Sequence, residues 1–597
     1  MPSLRAPALA AALALTLPGT LAAAAPGLTA AERAAAARIR ADEISGHVRF
    51  LADDLLAGRG PAARGDELAA RYLAAQLEAM GIAPGAPAPD GGAASYFQPV
   101  PLVRLAAQVP EALTVRGAGG ELALRFGRRR APPADGARAE PEQSASRRAP
   151  PADGARAEPE QSTAEADVVV TPSAETDRVT WKGAELVFVG YGITAPEHGW
   201  DDYRGVDVRG KVVVVLNFNP PFAGEGVRTW YGRWPYKYQN AAAHGAAGAI
   251  LVHTTESAAY PWQVIAASAE GVAYELPPEP GEARLEAQLW IAEPAARRLF
   301  ALAGLDLDER TRAAQQAAHG FAGQPLGLSA ALDMAVSRSE AASPNVVGIL
   351  RGTDPRLRGE AVVFSAHHDH LGAVAPVPPA TDGIYNGAVD NASGCASVLA
   401  IARAAAAHPP RRSLLFVFTT AEERGLLGAR WFARHPPIPV GRMAADVNLD
   451  AVNVLGRTHD LGLLGLGRSS VDEVVRAVAA AQGRTVHGDP FPDRGSYYRS
   501  DHFELARLGV PDVSLRGGPR YVGRPAGWGE AAESDYTSHR YHQVSDEYRW
   551  PERWDLSGAV EDAQLQLVVG LRLANAPSLP RWRKGDEFEA ARLSAPR

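Results

Sequence analysis

The chain has 597 residues, and a single hydrophobic core stops growing at roughly 250–300, so two or more domains are expected. It is 46% hydrophobic and 22% charged, an ordinary globular composition, and its net charge of -7 without a basic excess speaks against a nucleic-acid partner. A single cysteine, Cys395, excludes an intramolecular disulfide, and its Ala/Val/Leu surroundings make it a small core residue rather than a nucleophile.

Residues 1–25 read as an export signal. Arg5 supplies the positive end, Ala8–Leu17 the apolar run, Pro18-Gly19 the break and Ala22–Ala25 the small residues for cleavage. The run is shorter than the roughly 20 apolar residues that a membrane span needs. The mature chain is therefore expected in the periplasm or outside the cell, with no span. From Leu28 to Met80, apolar residues such as Ile44, Val48, Leu51 and Leu55 recur mostly three and four apart, which predicts helix. Residues 26–128 are read as the N-terminal helical part of the domain that ends the chain. Residues 129–162 hold the sequence RRAPPADGARAEPEQS twice, at Arg129–Ser144 and Arg147–Ser162. Two copies with almost nothing apolar beyond Ala cannot stack a core, so a disordered loop is expected. The clusters Arg128–Arg130 and Arg147–Arg148 fall in this stretch and read as solvated.

Residues 163–340 read as an inserted domain. Glu185–Gly190, Lys211–Leu216 and Ala249–Val252 are strand-like and Tyr238–Ala247 is helix-like. His244 stands alone there and is taken as structural. From Asn345 strands and helices alternate, with strands at Val346–Leu350, Ala361–Ser365, Leu414–Phe418, Asp446–Leu449 and Pro511–Leu515. Helices are expected at Gly394–Ala407, Gly425–His435 and Val471–Gln482. This pattern predicts an α/β domain over residues 341–597, with a mostly parallel central sheet covered by helices on both faces.

In such sheets, sites form beyond the carboxyl ends of the strands. That is where the chemistry-bearing residues fall. His367-His368-Asp369-His370 follows the strand AVVFSA, Glu422-Glu423 follows LLFVFTTA, and Asp450 closes DVNLD. Asp390 lies in the helix-opening stretch GAVDNASG, and Tyr541-His542 comes near the end. Imidazoles and carboxylates together suit zinc, and a bridging carboxylate makes a two-metal site that lowers the pKa of a water and polarises a carbonyl. A neighbouring carboxylate that is not a ligand serves as general base. Each piece alone has a plainer reading: the acidic pair as a favourable charge at a helix start, Asp390 as a cap, a lone histidine as a satisfied polar group. The ordered set is what is specific.

That set resembles the co-catalytic di-zinc exopeptidases that include bacterial leucyl aminopeptidase, aminopeptidase Y and glutamate carboxypeptidase. The likeness runs from Asn345 to about Ala574, and more loosely over Ala30–Val103. The stretch GYGITAPEHGWDDYRGVDVRGKVVVVL, with YQNAAAHGAAGAILV after it, resembles the protease-associated domain that many of these enzymes carry. The resemblance implies two zinc ions. It makes His367 and Asp450 terminal ligands of the first ion, Asp390 the bridge, and Glu423 and His542 ligands of the second. It makes Glu422 the general base, Asp369 the acid that orients His367, and Tyr541 the group that stabilises the tetrahedral intermediate. His368, His370, His502 and His539 receive no ligand role and are read as structural or pocket-lining. The implied function is aminopeptidase cleavage of peptides. A carboxypeptidase or dipeptidase on the same scaffold stays open, because Arg494, Arg499, Arg516 and Arg520 precede His542 and one of them could clamp a terminal carboxylate. A glutaminyl cyclase and a metal-free binding protein are further alternatives, and the intact ligand set speaks against both.

Overall fold

The computed structural model describes residues 27–87, 91–127, 166–173, 175–224, 226–258, 260–268, 273–376, 381–549 and 551–596. The export signal read at 1–25 and the duplicated loop at 129–162 lie outside these residues.

The larger domain is built on one mixed sheet. Its strands are β1 (Phe97–Gln108), β2 (Gln324–Leu350), β3 (Ala361–His367), β4 (Ser413–Thr419), β5 (Met443–Asn448), β6 (Asp460–Leu464), β7 (Thr485–His487) and β8 (Asp512–Gly517). Across the sheet they run β1-β2-β4-β3-β5-β8-β6-β7. The four central strands β4, β3, β5 and β8 are mutually parallel, and β2 and β6 flank them antiparallel. The parallel centre matches the expectation, and the antiparallel flanks come with it.

Strands β3 and β4 are mostly apolar and buried throughout because both sheet faces are covered, while β5 and β8 carry polar residues such as Asp446, Asp512 and Arg516. Alternate residues divide between the faces. Val362, Phe364, Leu414, Phe416 and Val447 join one core, and Val363, Leu415, Val417 and Met443 join the other. Helices α1 (Ala41–Leu51), α2 (Arg64–Ala79), α3 (Gly394–Ala406), α4 (Val471–Ala481) and α5 (Ser557–Asn575) cover the first face. Helix α5 comes very close at Gly570, where an added Cβ would lie 2.3 Å from Cζ of Phe364.

The stretch read as helical over 26–128 is helical only as far as Ala79; Phe97–Gln108, Ala112–Gly117 and Gly120–Arg125 are strands. The reason is a period of two. Gln98, Val100 and Leu102 are buried in turn, as are Leu113 and Val115. The last two of these strands belong to the inserted domain. There, 112–117 pairs with 120–125 and with β2, and β2 pairs with 178–188. The series continues through 212–216, 248–253, 287–292 and 168–172. A bridge from Phe126 to Val168 closes the ring, so the inserted domain is a β-barrel around its own core of Leu113, Val170, Phe188, Val214, Ile250 and Leu289. His244 stacks on Tyr203 at 3.9 Å and reaches Thr194, a structural role as expected.

Strand β2 serves both bodies. Its first half, with Leu326, Leu328, Ala330, Leu332 and Met334 buried, is a barrel strand, and Val346–Leu350 is a strand of the larger domain's sheet. The boundary read at residue 340 falls inside it.

Candidate metal centre

Three parallel strands end at one edge and deliver the site. His367 is the last residue of β3, Glu422 and Glu423 follow β4, and Asp450 follows β5. Asp390 precedes α3, and His542 lies just after the helix Trp528–His539. The loops are knitted by the polar residues of the stretch GAVDNASG. Asn391 donates to the carbonyl of Leu449 and accepts from the amides of Gly394 and Ala451, and Ser393 accepts from the amide of Val452. Ala421, Ala451 and His542 adopt left-handed backbone (φ 53°, 56° and 58°), which L-residues rarely hold unless the surroundings enforce it.

Asp390 lies between two imidazoles. Its Oδ1 is 3.2 Å from Nε2 of His367, and its Oδ2 is 3.3 Å from Nε2 of His542. A further carboxylate completes each side: Asp450 is 3.4 Å from His367 Nε2, and Glu423 is 3.0 Å from His542 Nε2. Nδ1 of His367 donates to the backbone carbonyl of Asp369 at 3.2 Å. That bond sets a tautomer whose Nε2 lone pair faces two carboxylate oxygens, an arrangement that requires a cation between them. Donor spacings of 3.0–3.4 Å are also what ligands about 2.0–2.2 Å from a tetrahedral ion show. The donor set therefore fits zinc.

Burial opposes charge on His367, yet Glu422, Asp390 and Asp450 hold its imidazolium well above the usual histidine range. Burial opposes charge on His542 too, and Glu423, Tyr541 and Asp390 hold it up. Glu422 is pushed well above the carboxylate range by burial and then by Glu423, Asp450 and Asp501.

All the ligands read from the sequence come together here. Glu422 and Glu423 also approach His367 as a group, with Glu422 facing the cleft. Tyr541 stacks on the ring of His542 at 3.9 Å and lines the same cleft. Asp369 acts differently from its expected role. Its carboxylate stands 3.9 Å from His367 Nδ1 and accepts the Glu422 amide at 3.0 Å, so its backbone carbonyl orients the imidazole and its side chain fixes the loop of Glu422. Cys395 is buried beneath the site, its thiol donating to the carbonyl of His367 and pushed up to about 12 by burial. His368 donates to the carbonyl of Pro344, His502 is buried beside Tyr497, and His539 is exposed beside Asp535.

Three contributors carried no role in the sequence reading. Nδ1 of His370 lies 2.6 Å from the Glu423 oxygen that His542 does not use. Asp546 accepts from the amides of Val389 and Asp390. The guanidinium of Arg59, fully buried, donates to the carbonyls of Leu51, His368, Asn386 and Gly387, tying the loops of His367 and Asp390 to each other. The adjacency of His370 and Asp546 to ligands was the available signal; for Arg59 there was none.

Residues 345–568 match the model of peptidase family M28, and residues 165–280 match the PA domain. Residues 345–568 belong to peptidase family M28. The M28 match holds His367, Asp390, Glu422, Glu423, Asp450 and His542, and the PA match covers four of the barrel strands, 168–172, 178–188, 212–216 and 248–253. Over 180 residues the chain is 38% identical to a vacuolar membrane protease of Schizosaccharomyces japonicus, a match covering 30% of this chain and 16% of the relative. A vacuolar membrane protease of Candida albicans matches over 94 residues at 35%, covering 16% of this chain and 10% of the relative. The chain thus spans a sixth or less of the curated relatives it matches. Among solved structures, an aminopeptidase from Aneurinibacillus sp. strain AM-1 aligns over 92% of this chain and 97% of its own, with 17% identity and a TM-score of 0.47. An M28 peptidase precursor from Shewanella amazonensis aligns over the same shares, with 17% identity and a TM-score of 0.43.

Proposed function

We propose that the chain is an exported two-zinc exopeptidase, an aminopeptidase that removes N-terminal residues from peptides. The observation that carries this reading is Asp390, whose two oxygens each face a separate imidazole–carboxylate pair. His367, Asp390 and Asp450 would hold one ion, and His542, Asp390 and Glu423 the other. Zinc bound there lowers the pKa of a water and polarises the scissile carbonyl. Glu422, facing the cleft beside both pairs, takes the proton of that water and returns it to the leaving amine. Tyr541 donates its hydroxyl to the oxyanion. Asp369 keeps the Glu422 backbone in place, and His370 fixes the free oxygen of Glu423.

The N-terminal signal supports export, and the vacuolar membrane named for the curated relatives is likewise a place outside the cytosol. No helix among the described residues is long and apolar enough to cross a membrane. The test is elemental analysis of the purified chain together with hydrolysis of aminoacyl chromogenic amides, with and without a chelator. Two zinc ions per chain and chelator-sensitive release from free-amino substrates are expected. Metal without such release would shift the reading to a carboxypeptidase or dipeptidase, and absence of metal would overturn it.

A further inference from the structure

The cleft over the metal centre turns a corner where the two domains meet. One side is formed by Tyr260, Pro261 and Val264 of the inserted domain, and the other by Phe491, Ser496 and Arg499 of the larger domain. On the cleft side the walls touch where the guanidinium of Arg499 lies over the ring of Tyr260 at 5.8 Å. Neither wall rests on a long element. Tyr260 and Pro261 lie between the short helices Thr255–Ala258 and Trp262–Ser268. The opposite wall is two single turns, Pro492–Arg494 and Ser496–Tyr498, joined at Gly495 with a φ of 62°. Segments this short do not hold their own place.

What holds them lies behind the corner. Arg228 of the inserted domain is 4% exposed and pairs with no carboxylate among the described residues. Its Nε donates to the carbonyl of Asp493 at 2.8 Å, and its two terminal nitrogens donate to the carbonyls of Gly232 and Ser257. Its own amide donates to the carbonyl of Pro492 at 3.1 Å, and its guanidinium lies over the ring of Phe218 at 4.4 Å. Asp493 and Pro492 belong to one wall, and Ser257 to the helix that leads into the other. Gly232 belongs to the loop that carries Arg228, and Asn219 braces that loop by donating to the carbonyls of Pro220 and Val227 and accepting from the amide of Thr229. The fit has no slack. A Cβ added at Gly495 would lie 2.5 Å from Cδ of Arg228, an atom that cannot swing aside while three carbonyls hold the guanidinium. A buried charge without a counter-ion is costly unless its donors are used, and here they are used on the backbone of both walls.

We propose that Arg228 is a positioning residue that clasps the two cleft walls from behind, and that the gap it fixes receives the part of a peptide beyond the residue being removed. This rests on the peptidase reading of the metal centre. Neither wall carries a candidate metal ligand, and Val264 is 45% exposed there, an apolar surface for a peptide to cover.

The experiment compares Arg228→Gln and Gly495→Ala with the unaltered zinc-loaded chain. The substrates are leucine anilide, which has no residue beyond the scissile bond, and Leu-Gly-Gly-Gly, which has three. A misplacement of about 1 Å far from the chemistry can cost about 100-fold, so kcat/KM on the tetrapeptide should fall at least about tenfold further than on the anilide, with the extra loss in KM. Hydrogen exchange gives a second readout. The amides of 255–258, 260–265 and 489–499 should exchange faster in both variants, while β3 and β4 keep their protection. Thermal unfolding and zinc content control for loss of fold, and Gly495→Ala decides if Arg228→Gln does not fold. Losses that agree to within about twofold on the two substrates, or faster exchange in one wall only or in neither, would overturn the proposal. If the chain cleaves neither substrate, the peptidase reading fails, and hydrogen exchange alone decides whether Arg228 clasps the walls.

Discussion

Glu422 and Glu423 are neighbours in the chain and opposites in their surroundings. Ala421 holds a left-handed turn just before them, the Glu422 amide is pinned to Asp369, and Glu423 is taken up by His542 and His370. Glu422→Gln keeps shape and metal but cannot accept a proton. Its kcat should fall by about 10²–10⁴, the range that general-base catalysis supplies, with zinc content unchanged by elemental analysis. His370→Ala should act differently. It leaves one oxygen of Glu423 without its partner, and loss of an orienting contact of this kind lowers metal affinity by about 10–100-fold. Competition with a chromophoric chelator would measure it, and an unchanged affinity would make His370 a mere space-filler. The ligands were legible in the sequence because each sits at a strand end or loop edge where a local motif marks it. His370 and Asp546 were not legible in role, since what they do depends on the direction of a side chain across a loop.

Among the elements, β3 and β4 could be read because burial on both faces leaves a nearly continuous apolar run. Strand β1 could not. Its sequence FQPVPLVRLAAQ carries Pro99 and Pro101, which argue against a strand, and the alternate burial of Gln98, Val100 and Leu102 with the pairing to β2 along its full length overrides them. Helix α5 shows how packing overrides propensity. Alanine is favoured over glycine inside a helix by about 1 kcal/mol, so Gly570→Ala would be stabilising on propensity alone. Here the new Cβ would meet Cζ of Phe364 at 2.3 Å, and that ring is itself stacked on Phe416 in the core. Overpacking of this sort costs about 1–3 kcal/mol, so the net effect should be destabilising. Urea unfolding of the two proteins decides the sign.

For the molecule as a whole, the metal centre is a concentration of negative charge. Asp390, Glu422, Glu423 and Asp450 converge on one edge of the sheet, and bound cations relieve that repulsion. Zinc that binds only the folded state stabilises it by about 2.7 kcal/mol at a free concentration 100 times its Kd. Stripping the metal should therefore lower Tm in calorimetry, and added zinc should restore it. A Tm indifferent to chelator would mean that the ligand cluster holds no ion in solution. The two-domain division was legible from the change in strand and helix pattern near Asn345. The barrel was not, because its closure depends on strands before and after the duplicated loop, drawn from segments far apart in the chain.

Strand β2 joins the two domains without a turn, and over Ser337–Ala342 it runs in a narrow ribbon with β1, on whose far edge residues 273–275 pair. Each residue of such a ribbon advances about 3.3 Å and reverses the side on which the next side chain emerges. The length of this stretch is therefore a ruler. It sets how far the wall bearing Tyr260 and Pro261 stands from the candidate zinc ligands, and it admits change only in steps of two residues, about 7 Å at a time, if the buried side of the barrel is to stay buried. In this architecture, the size of peptide that the cleft admits is written in the count of residues between two sheets.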